Sequence, residues 1–231
     1  MKKKFRHELK FYINKAQYEL LRGRISIVLK PDENMTDPKG YHIRSLYFDD
    51  MYNMALREKG SGVYKRKKYR IRIYNLQSNI IKLECKEKIG DYISKTAVSL
   101  DKEKYNKIMN NDFTFDDNIM PIEFYYDFKS RLMRPVVIVD YVREAYVHKE
   151  GNVRVTFDKQ LETNLDDLDI FETKSFNTKT LDNNLIVLEV KYDEYIPNFI
   201  KDLLNMKGLS KAAISKYVLC RYKRLELGSK V

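Results

Sequence analysis

Basic side chains recur at every second position in the segment KYRIRIY at residues 68–74. Because side chains alternate between the two faces of a β-strand, Lys68, Arg70 and Arg72 share one face, and the apolar residues between them share the other. A row of cations on one face is suited to binding anions, and a guanidinium can hold a phosphate group through two hydrogen bonds. The spacing therefore predicts a strand with an anion-binding face.

The same alternation returns in at least four further segments. An antiparallel sheet with one solvated face commonly looks like this, but such faces usually mix charges with neutral polar residues. Like charges on neighbouring strands repel each other and cost stability. We therefore expect the charged faces to line a cavity that holds an anion. The basic residues in these further rows are Lys82, Lys86, Lys88, Arg143, Arg154 and Lys191.

About eight strands and five helices are needed to position these rows, and sequential strands are expected to pair in an antiparallel way. Eight strands are enough to close a barrel around one small ligand. We predict an α+β fold: an antiparallel tunnel barrel with a basic lumen, helices packed outside, and one domain over residues 1–231. Strands are expected at 4–12, 42–48, 67–74, 80–88, 92–100, 136–147, 152–159 and 185–192, and helices at 15–29, 101–109, 121–133, 197–206 and 210–225, with Ser210 capping the last.

Three acids, Glu8, Glu84 and Glu189, lie among the bases of these rows. Each could be a structural ion-pair partner of a neighbouring Lys or Arg. Alternatively, one or two of them could hold Mg²⁺ or Mn²⁺, which prefer oxygen ligands and bridge phosphate oxygens. Glu189 is the better metal candidate, because no adjacent acid shares its face.

The charge balance points to a polyanionic partner. The 44 Lys and Arg against 33 Asp and Glu give a net charge of +11, which suits nucleic acid, an anionic membrane surface or phosphates. The sequence has no run of about 20 apolar residues and only the cysteines Cys85 and Cys220. We therefore expect no membrane span and a cytoplasmic location. No phosphate-binding Gly-rich loop or nucleophile elbow occurs, which disfavours P-loop, kinase, Rossmann and hydrolase mechanisms.

Nine short motifs along nearly the whole chain resemble, in order, the catalytic domain of the VTC (vacuolar transporter chaperone) family. This family belongs to the CYTH or triphosphate tunnel metalloenzyme superfamily. The motifs are RHELKF at 6–11, SLYFD at 45–49, YRIRIY at 69–74, LECK at 83–86, RPVV at 134–137, YVR at 141–143, VRV at 153–155, LEVK at 188–191 and SKY at 215–217.

The resemblance implies a polyphosphate polymerase that transfers the γ-phosphate of ATP to a growing inorganic polyphosphate chain, with Mn²⁺ or Mg²⁺ as cofactor. About ten basic residues from Lys10 to Lys216 would then face inward, leaving the outside close to charge balance. By motif position, the implied catalytic residues are Arg70, Arg72, Lys86, Arg143, Arg154 and Lys191; the implied phosphate-binding residues are Lys10, Lys88, Lys95, Tyr141, Ser215 and Lys216; and the implied metal ligand is Glu189, with Glu8 as a second candidate.

Other functions remain open at this point. Superfamily triphosphatases typically begin with Glu-x-Glu-x-Lys, whereas Arg6 stands here at the first acidic position. Losing that acid weakens a metal site for hydrolytic water, which favours a polymerase over an inorganic triphosphatase or NTPase. The further alternatives are a non-catalytic polyphosphate binder and an RNA-binding module. We expect no nucleic acid partner, because many aromatic residues alternate with the basic rows and are expected in the core.

Overall fold

The computed structural model describes residues 6–112, 120–173, 177–182 and 184–228. All eight expected strands are present within this part of the chain; only the first residues of the first predicted strand, 4–5, fall outside it. The strands are β1 His7–Asn14, β2 Lys30–Pro31, β3 Tyr41–Asp49, β4 Lys65–Tyr74, β5 Gln77–Ile89, β6 Tyr92–Leu100, β7 Arg134–His148, β8 Val153–Asn164, β9 Asn177–Lys179 and β10 Leu185–Tyr192, and the helices are α1 Lys15–Ile25, α2 Met54–Gly60, α3 Lys102–Met109, α4 Ile122–Ser130, α5 Asn198–Leu203 and α6 Lys216–Gly228.

The strands form one antiparallel sheet in the order β1-β10-β8-β7-β3-β4-β5-β6, with the short strands β2 and β9 added to β7 and β8. The two ends of the sheet meet at one bridge, where Arg6 and Ile93 exchange backbone hydrogen bonds of 3.0 and 3.2 Å. Further along β1, the amide of Ala212 donates to the carbonyl of Lys10 at 2.9 Å. The predicted α+β tunnel architecture is therefore confirmed, although among the described residues one bridge rather than a full ladder joins the two ends of the sheet.

The outer face of the sheet is apolar and covered by helices, as alternation predicts. On one side, Tyr69, Ile71 and Ile73 of β4 are buried in a cluster with side chains of α3 and α4. On the other side, Val155 of β8 and Leu188 of β10 are buried in a cluster with side chains of α1 and α5. The charged side chains of the same strands therefore lie on the opposite, inner face.

Helix α6 departs from this arrangement and corrects the expectation that all helices pack outside. It begins at Lys216 rather than after Ser210, because residues 210–215 have no helical structure and run along the free edge of β1. Its residues Tyr217 and Cys220 are buried against inward-facing side chains of the sheet, including Tyr47 and Tyr141. The first turn of α6 therefore enters the lumen.

Candidate functional site

The inner face of the sheet gathers the charged residues that the sequence singled out. Cross-strand register places Lys68 of β4 opposite Lys86 of β5, and Lys86 opposite Lys95 of β6, so three lysines lie side by side. Such a row is unfavourable unless other groups compensate it. The basic residues on this face or at its rim are Lys10, Lys68, Arg70, Arg72, Lys86, Lys88, Lys95, Arg143, Arg154, Lys191 and Lys216, and the acids among them are Glu8, Glu84, Asp158 and Glu189.

Two carboxylates, Glu8 and Glu189, share lysines at the junction of β1 and β10. The nitrogen of Lys191 lies 3.1 Å from Glu189 and 3.5 Å from Glu8, and that of Lys10 lies 3.2 and 3.8 Å from the same two acids. Lys86 of β5 also contacts Glu8, at 2.8 Å, where β6 and β1 meet. Burial would raise the pKa of Glu8 and Glu189, but these lysines outweigh it and hold both pKa values below the usual range.

The first residue of α6 joins this cluster to β7 and β8. The nitrogen of Lys216 lies 2.5 Å from Asp158 and 2.7 Å from Glu189. Arg143 donates to both oxygens of Asp158, at 2.6 and 2.7 Å. Burial alone would lower the pKa of Lys216, but Asp158 and Glu189 raise it above its ordinary value, so Lys216 keeps its charge.

A third group of contacts surrounds Glu84. Arg70 and Lys95 approach its carboxylate at 2.6 and 2.8 Å, and Arg70 also donates to the hydroxyl of Tyr47 at 2.9 Å. Burial raises the pKa of Glu84, but the charges of Arg70 and Arg72 have the larger effect, so the pKa lies below its ordinary value. Glu84 is therefore an ionised structural partner that fixes two cations at the lumen wall.

Two lumenal cations have hydroxyl groups, rather than acids, as their hydrogen-bond acceptors. Arg72 donates to Ser45 and to Tyr141, both at 3.0 Å. Lys68 donates to Ser215 at 3.2 Å and lies 4.5 Å from the centre of the Tyr217 ring. Within the described residues, neither cation has a carboxylate at ion-pair distance. No direct ion pair therefore balances either charge, although Arg72 still interacts with Glu84 at longer range, and both cations remain available for an anion.

Burial has a different effect on the lysines that face mostly other lysines. It lowers the pKa of Lys86 to about 8; Lys10 lowers it as well, against the opposing effect of Glu8. The pKa of Lys68 lies well below its ordinary value because of burial and then of Lys86 and Lys10. This part of the lumen therefore accumulates positive potential that an anion would relieve.

The remaining predicted residues lie at the edges of these groups. Arg154 donates to Asp32 at 3.0 Å and to the hydroxyl of Tyr41 at 3.1 Å. Lys88 lies one cross-strand pair beyond Lys86, at the rim where β5 ends. The site residues implied by motif position did not include Lys68 or Asp158. Alternation had already placed Lys68 on the anion-binding face of its strand, and the same alternation in β8 is enough to place Asp158 on the inner face.

The sequence matches the VTC domain over residues 5–223. The chain belongs to the VTC domain family. No curated protein matches it. Among solved structures that share the fold is a candidate adenylate cyclase from Bacillus halodurans, with 12% identity and a TM-score of 0.55; the match covers 93% of this chain and 96% of that one. Another is a candidate adenylate cyclase from Vibrio parahaemolyticus, with 11% identity and a TM-score of 0.54; the match covers 94% of this chain and 98% of that one.

The carboxylates of this VTC domain suit a metal that is shared with phosphate oxygens. Glu8 and Glu189 offer oxygen ligands close to each other, whereas Lys216 lies between Glu189 and Asp158. In the part of the chain that the structure describes, no three His, Cys, Asp or Glu residues form a metal-ligand group. Mg²⁺ and Mn²⁺ commonly bind through one or two carboxylates and take their other ligands from water and substrate phosphates. The donor set fits that mode.

None of the helices in the described ranges is long and apolar enough to cross a membrane.

Proposed function

We propose that this VTC domain is a polyphosphate polymerase, which transfers the γ-phosphoryl group of ATP to the end of an inorganic polyphosphate chain inside the tunnel. The observation that carries the proposal is the pair of lumenal cations Lys68 and Arg72, whose hydrogen-bond acceptors are hydroxyl groups. Membership of the VTC family supports phosphate chemistry. We further propose that residues 1–231 act as one unit, and a cytoplasmic location remains a prediction.

The reaction needs no protein nucleophile. A terminal oxygen of the polyphosphate chain forms a bond to the γ-phosphorus while the bond from that phosphorus to the β,γ-bridging oxygen breaks, and ADP leaves. The transition state spreads negative charge over the transferred group, so positioning and charge neutralisation carry the catalysis. A bound Mn²⁺ or Mg²⁺ would add positive charge at the phosphate oxygens, with Glu189 and Glu8 as its ligands.

The lumenal bases divide the remaining work. Arginines can hold phosphates through two hydrogen bonds, and lysines act as point charges. Tyr141 orients Arg72, and Ser215 orients Lys68, through hydroxyl groups. In this proposal the residues around the transferred group are Arg70, Arg72, Lys86, Arg143, Arg154 and Lys191, and those that hold the rest of the phosphate chain are Lys10, Lys68, Lys88, Lys95 and Lys216.

One local contact favours the polymerase over a triphosphatase on the same fold. Arg6 lies 2.9 Å from Asp193, so a cation with its own acidic partner stands where superfamily triphosphatases have the first acid of their motif. A third carboxylate for a hydrolytic metal site is therefore missing at that position. Inorganic triphosphatase or NTPase activity is the alternative function.

Product analysis separates the two activities. Purified protein is incubated with ATP and Mn²⁺, and phosphate chains are resolved on a gel beside an assay for orthophosphate. The polymerase proposal expects chains longer than a few phosphates; orthophosphate alone would support the triphosphatase instead. Arg72→Gln should remove the activity because it removes a lumenal charge. Arg57→Gln, on the exposed side of α2, is the matched control and should leave it intact.

A further inference from the structure

Strands β4 and β5 form four successive cross-strand pairs on the inner face, and in three of them both residues are basic. The register sets Arg66 opposite Lys88, and Lys68 opposite Lys86, on the same face of the sheet. Like charges directly opposite each other destabilise a sheet. The Lys68–Lys86 pair belongs to the lumen already described. The Arg66–Lys88 pair lies two residues further along each strand, about 7 Å away, at the rim where β4 begins and β5 ends.

Helix α2 brings a third cation to this rim. Lys59 lies near the end of α2, which packs against β4. Burial lowers the pKa of Lys59, and Arg66 and Lys88 lower it further. Burial and Arg66 likewise lower the pKa of Lys88. All three side chains are half-buried, so three cations are held close together in partly desolvated positions.

The nearby acids do not neutralise this cluster. Asp91 raises the pKa of Lys88, but by less than burial and Arg66 lower it, and Glu58 interacts with Arg66. Within the described ranges, no carboxylate lies at ion-pair distance from any of the three cations. Arg66 instead donates to the carbonyl of Val63 at 2.6 Å, and the sheet register keeps it opposite Lys88.

The position of α2 is itself fixed by acids. Asp49 accepts hydrogen bonds from the amides of Ala55 and Leu56 at 2.9 and 3.2 Å, and Asp50 accepts one from Met54 at 2.9 Å. The start of the helix that carries Lys59 is therefore anchored to the end of β3. The backbone of Lys59 is therefore held near its like-charged neighbours by the anchored helix.

We propose that Lys59, Arg66 and Lys88 form a second anion site, the rim site, which holds the polyphosphate chain where it leaves the part of the tunnel lined by Lys68 and Lys86. The choice of ligand rests on the proposed function. The rim site also sets the direction in which the polyphosphate chain runs. The end that was made first lies at the start of β4, and the end that accepts the next phosphoryl group lies deeper in the tunnel. Chains too short to reach from the lumen to the rim gain nothing from it.

Binding measurements without ATP or metal test the rim site separately from catalysis. Calorimetry compares pyrophosphate, which is too short to reach from the Lys68–Lys86 pair to the rim, with a polyphosphate many times longer, for the wild-type chain and for Lys59→Gln/Arg66→Gln. The wild-type chain should prefer the longer ligand. The double variant should lower the ratio of the two affinities about tenfold, because two charges that contact only the longer ligand are lost. Lys104→Gln/Lys107→Gln on α3, outside the sheet, is the matched control and should keep the wild-type ratio.

The outcomes are distinguishable. An unchanged ratio in the rim variant, or an equal loss for both ligands, would overturn the rim site even if the protein makes polyphosphate. A lowered ratio in a protein that makes no polyphosphate would sustain the rim site while the proposed function fails. Single-stranded RNA with the same number of phosphates is the competitor. If it binds as tightly as the long polyphosphate and loses the same factor in the variant, the assignment to inorganic polyphosphate is overturned.

Discussion

Raising the pH from 7 to 9 should weaken the binding of tripolyphosphate, because two lumenal lysines have lowered pKa values. Burial lowers the pKa of Lys86 to about 8, and Lys10 adds to the effect. Burial, Lys86 and Lys10 also hold the pKa of Lys68 well below its ordinary value. A phosphate bound beside these amines favours their charged forms. Binding must therefore take up protons wherever the free lysines are neutral.

The size of the effect follows from the pKa of Lys86. At pH 9, one unit above that pKa, roughly nine tenths of the free Lys86 side chains are neutral, and restoring the proton on binding costs about 1.4 kcal/mol, or tenfold in affinity. Well below pH 8, Lys86 is already charged and adds no pH dependence. Lys68 acts in the same direction, so the loss between pH 7 and 9 is about tenfold or more.

Calorimetry at pH 7, 8 and 9, at constant ionic strength and without metal, measures this loss directly. Two buffers with different ionisation enthalpies at each pH give the number of protons taken up. The variant Lys68→Arg/Lys86→Arg is the matched control, because guanidinium groups stay charged throughout this range. Ionisation of tripolyphosphate itself strengthens binding as the pH rises, but it affects both proteins equally. Identical pH profiles for the two proteins, or no proton uptake by the wild-type chain at pH 9, would refute the reasoning.

Three other perturbations test the charge arrangement. Glu189→Gln removes the acid shared by three lysines; the free energy of unfolding in urea should fall by about 3 kcal/mol, and turnover of ATP should lose its dependence on Mn²⁺. Arg72→Lys keeps a charge but loses the planar contact, so calorimetry should show tripolyphosphate affinity about tenfold weaker, while Arg57→Lys leaves it unchanged. The free energy of unfolding should fall as the pH is lowered from 5 to 3. Carboxylates whose pKa is lower in the folded protein stabilise it above their unfolded pKa near 4, and this stabilisation is lost as the pH falls, by up to about 1.4 kcal/mol per pH unit for each group. Urea unfolding at pH 5 and at pH 3 measures the loss. These carboxylates are Glu8, Glu84, Asp158 and Glu189.

Alternation along the strands was enough to predict the sheet and its charged inner face. Successive side chains of a strand point to opposite faces, so the face of each residue follows from its position in the strand alone. Arg70 and Ile71 can therefore be assigned to different faces without knowing which strand pairs with theirs. The same rule placed Lys68 on the anion-binding face and would have placed Asp158 there, yet neither was among the implied site residues. Both were left out because the site residues came from motif positions, and the motifs at 69–74 and 153–155 stop short of them. Here the local pattern was more complete than the resemblance.

Elements decided by tertiary contacts were beyond the sequence pattern. Ser210 looked like a helix cap, yet the backbone after it completes hydrogen bonds at the free edge of β1, where Ala212 donates to Lys10. That edge exists only once the sheet has curled. The short helix α2 has no amphipathic period to detect, and it depends on caps from Asp49 and Asp50. The function of α2 was missed with it, since α2 supplies Lys59, whereas Lys216 of α6 was already implied by its motif position.

The partners of the lumenal cations explain how so much charge can be stored in one fold. The sequence alone suggested that inward bases account for nearly the whole surplus of +11, but four acids inside offset part of it, so some of the surplus lies elsewhere. The acid-paired cations, such as Arg143 and Lys216, are held in place by acids that balance much of their charge. The hydroxyl-paired cations Lys68 and Arg72 are held in place without a direct ion-pair partner among the described residues. A phosphate chain therefore gains most beside the second group, while the first group keeps the walls from moving apart when no anion is bound.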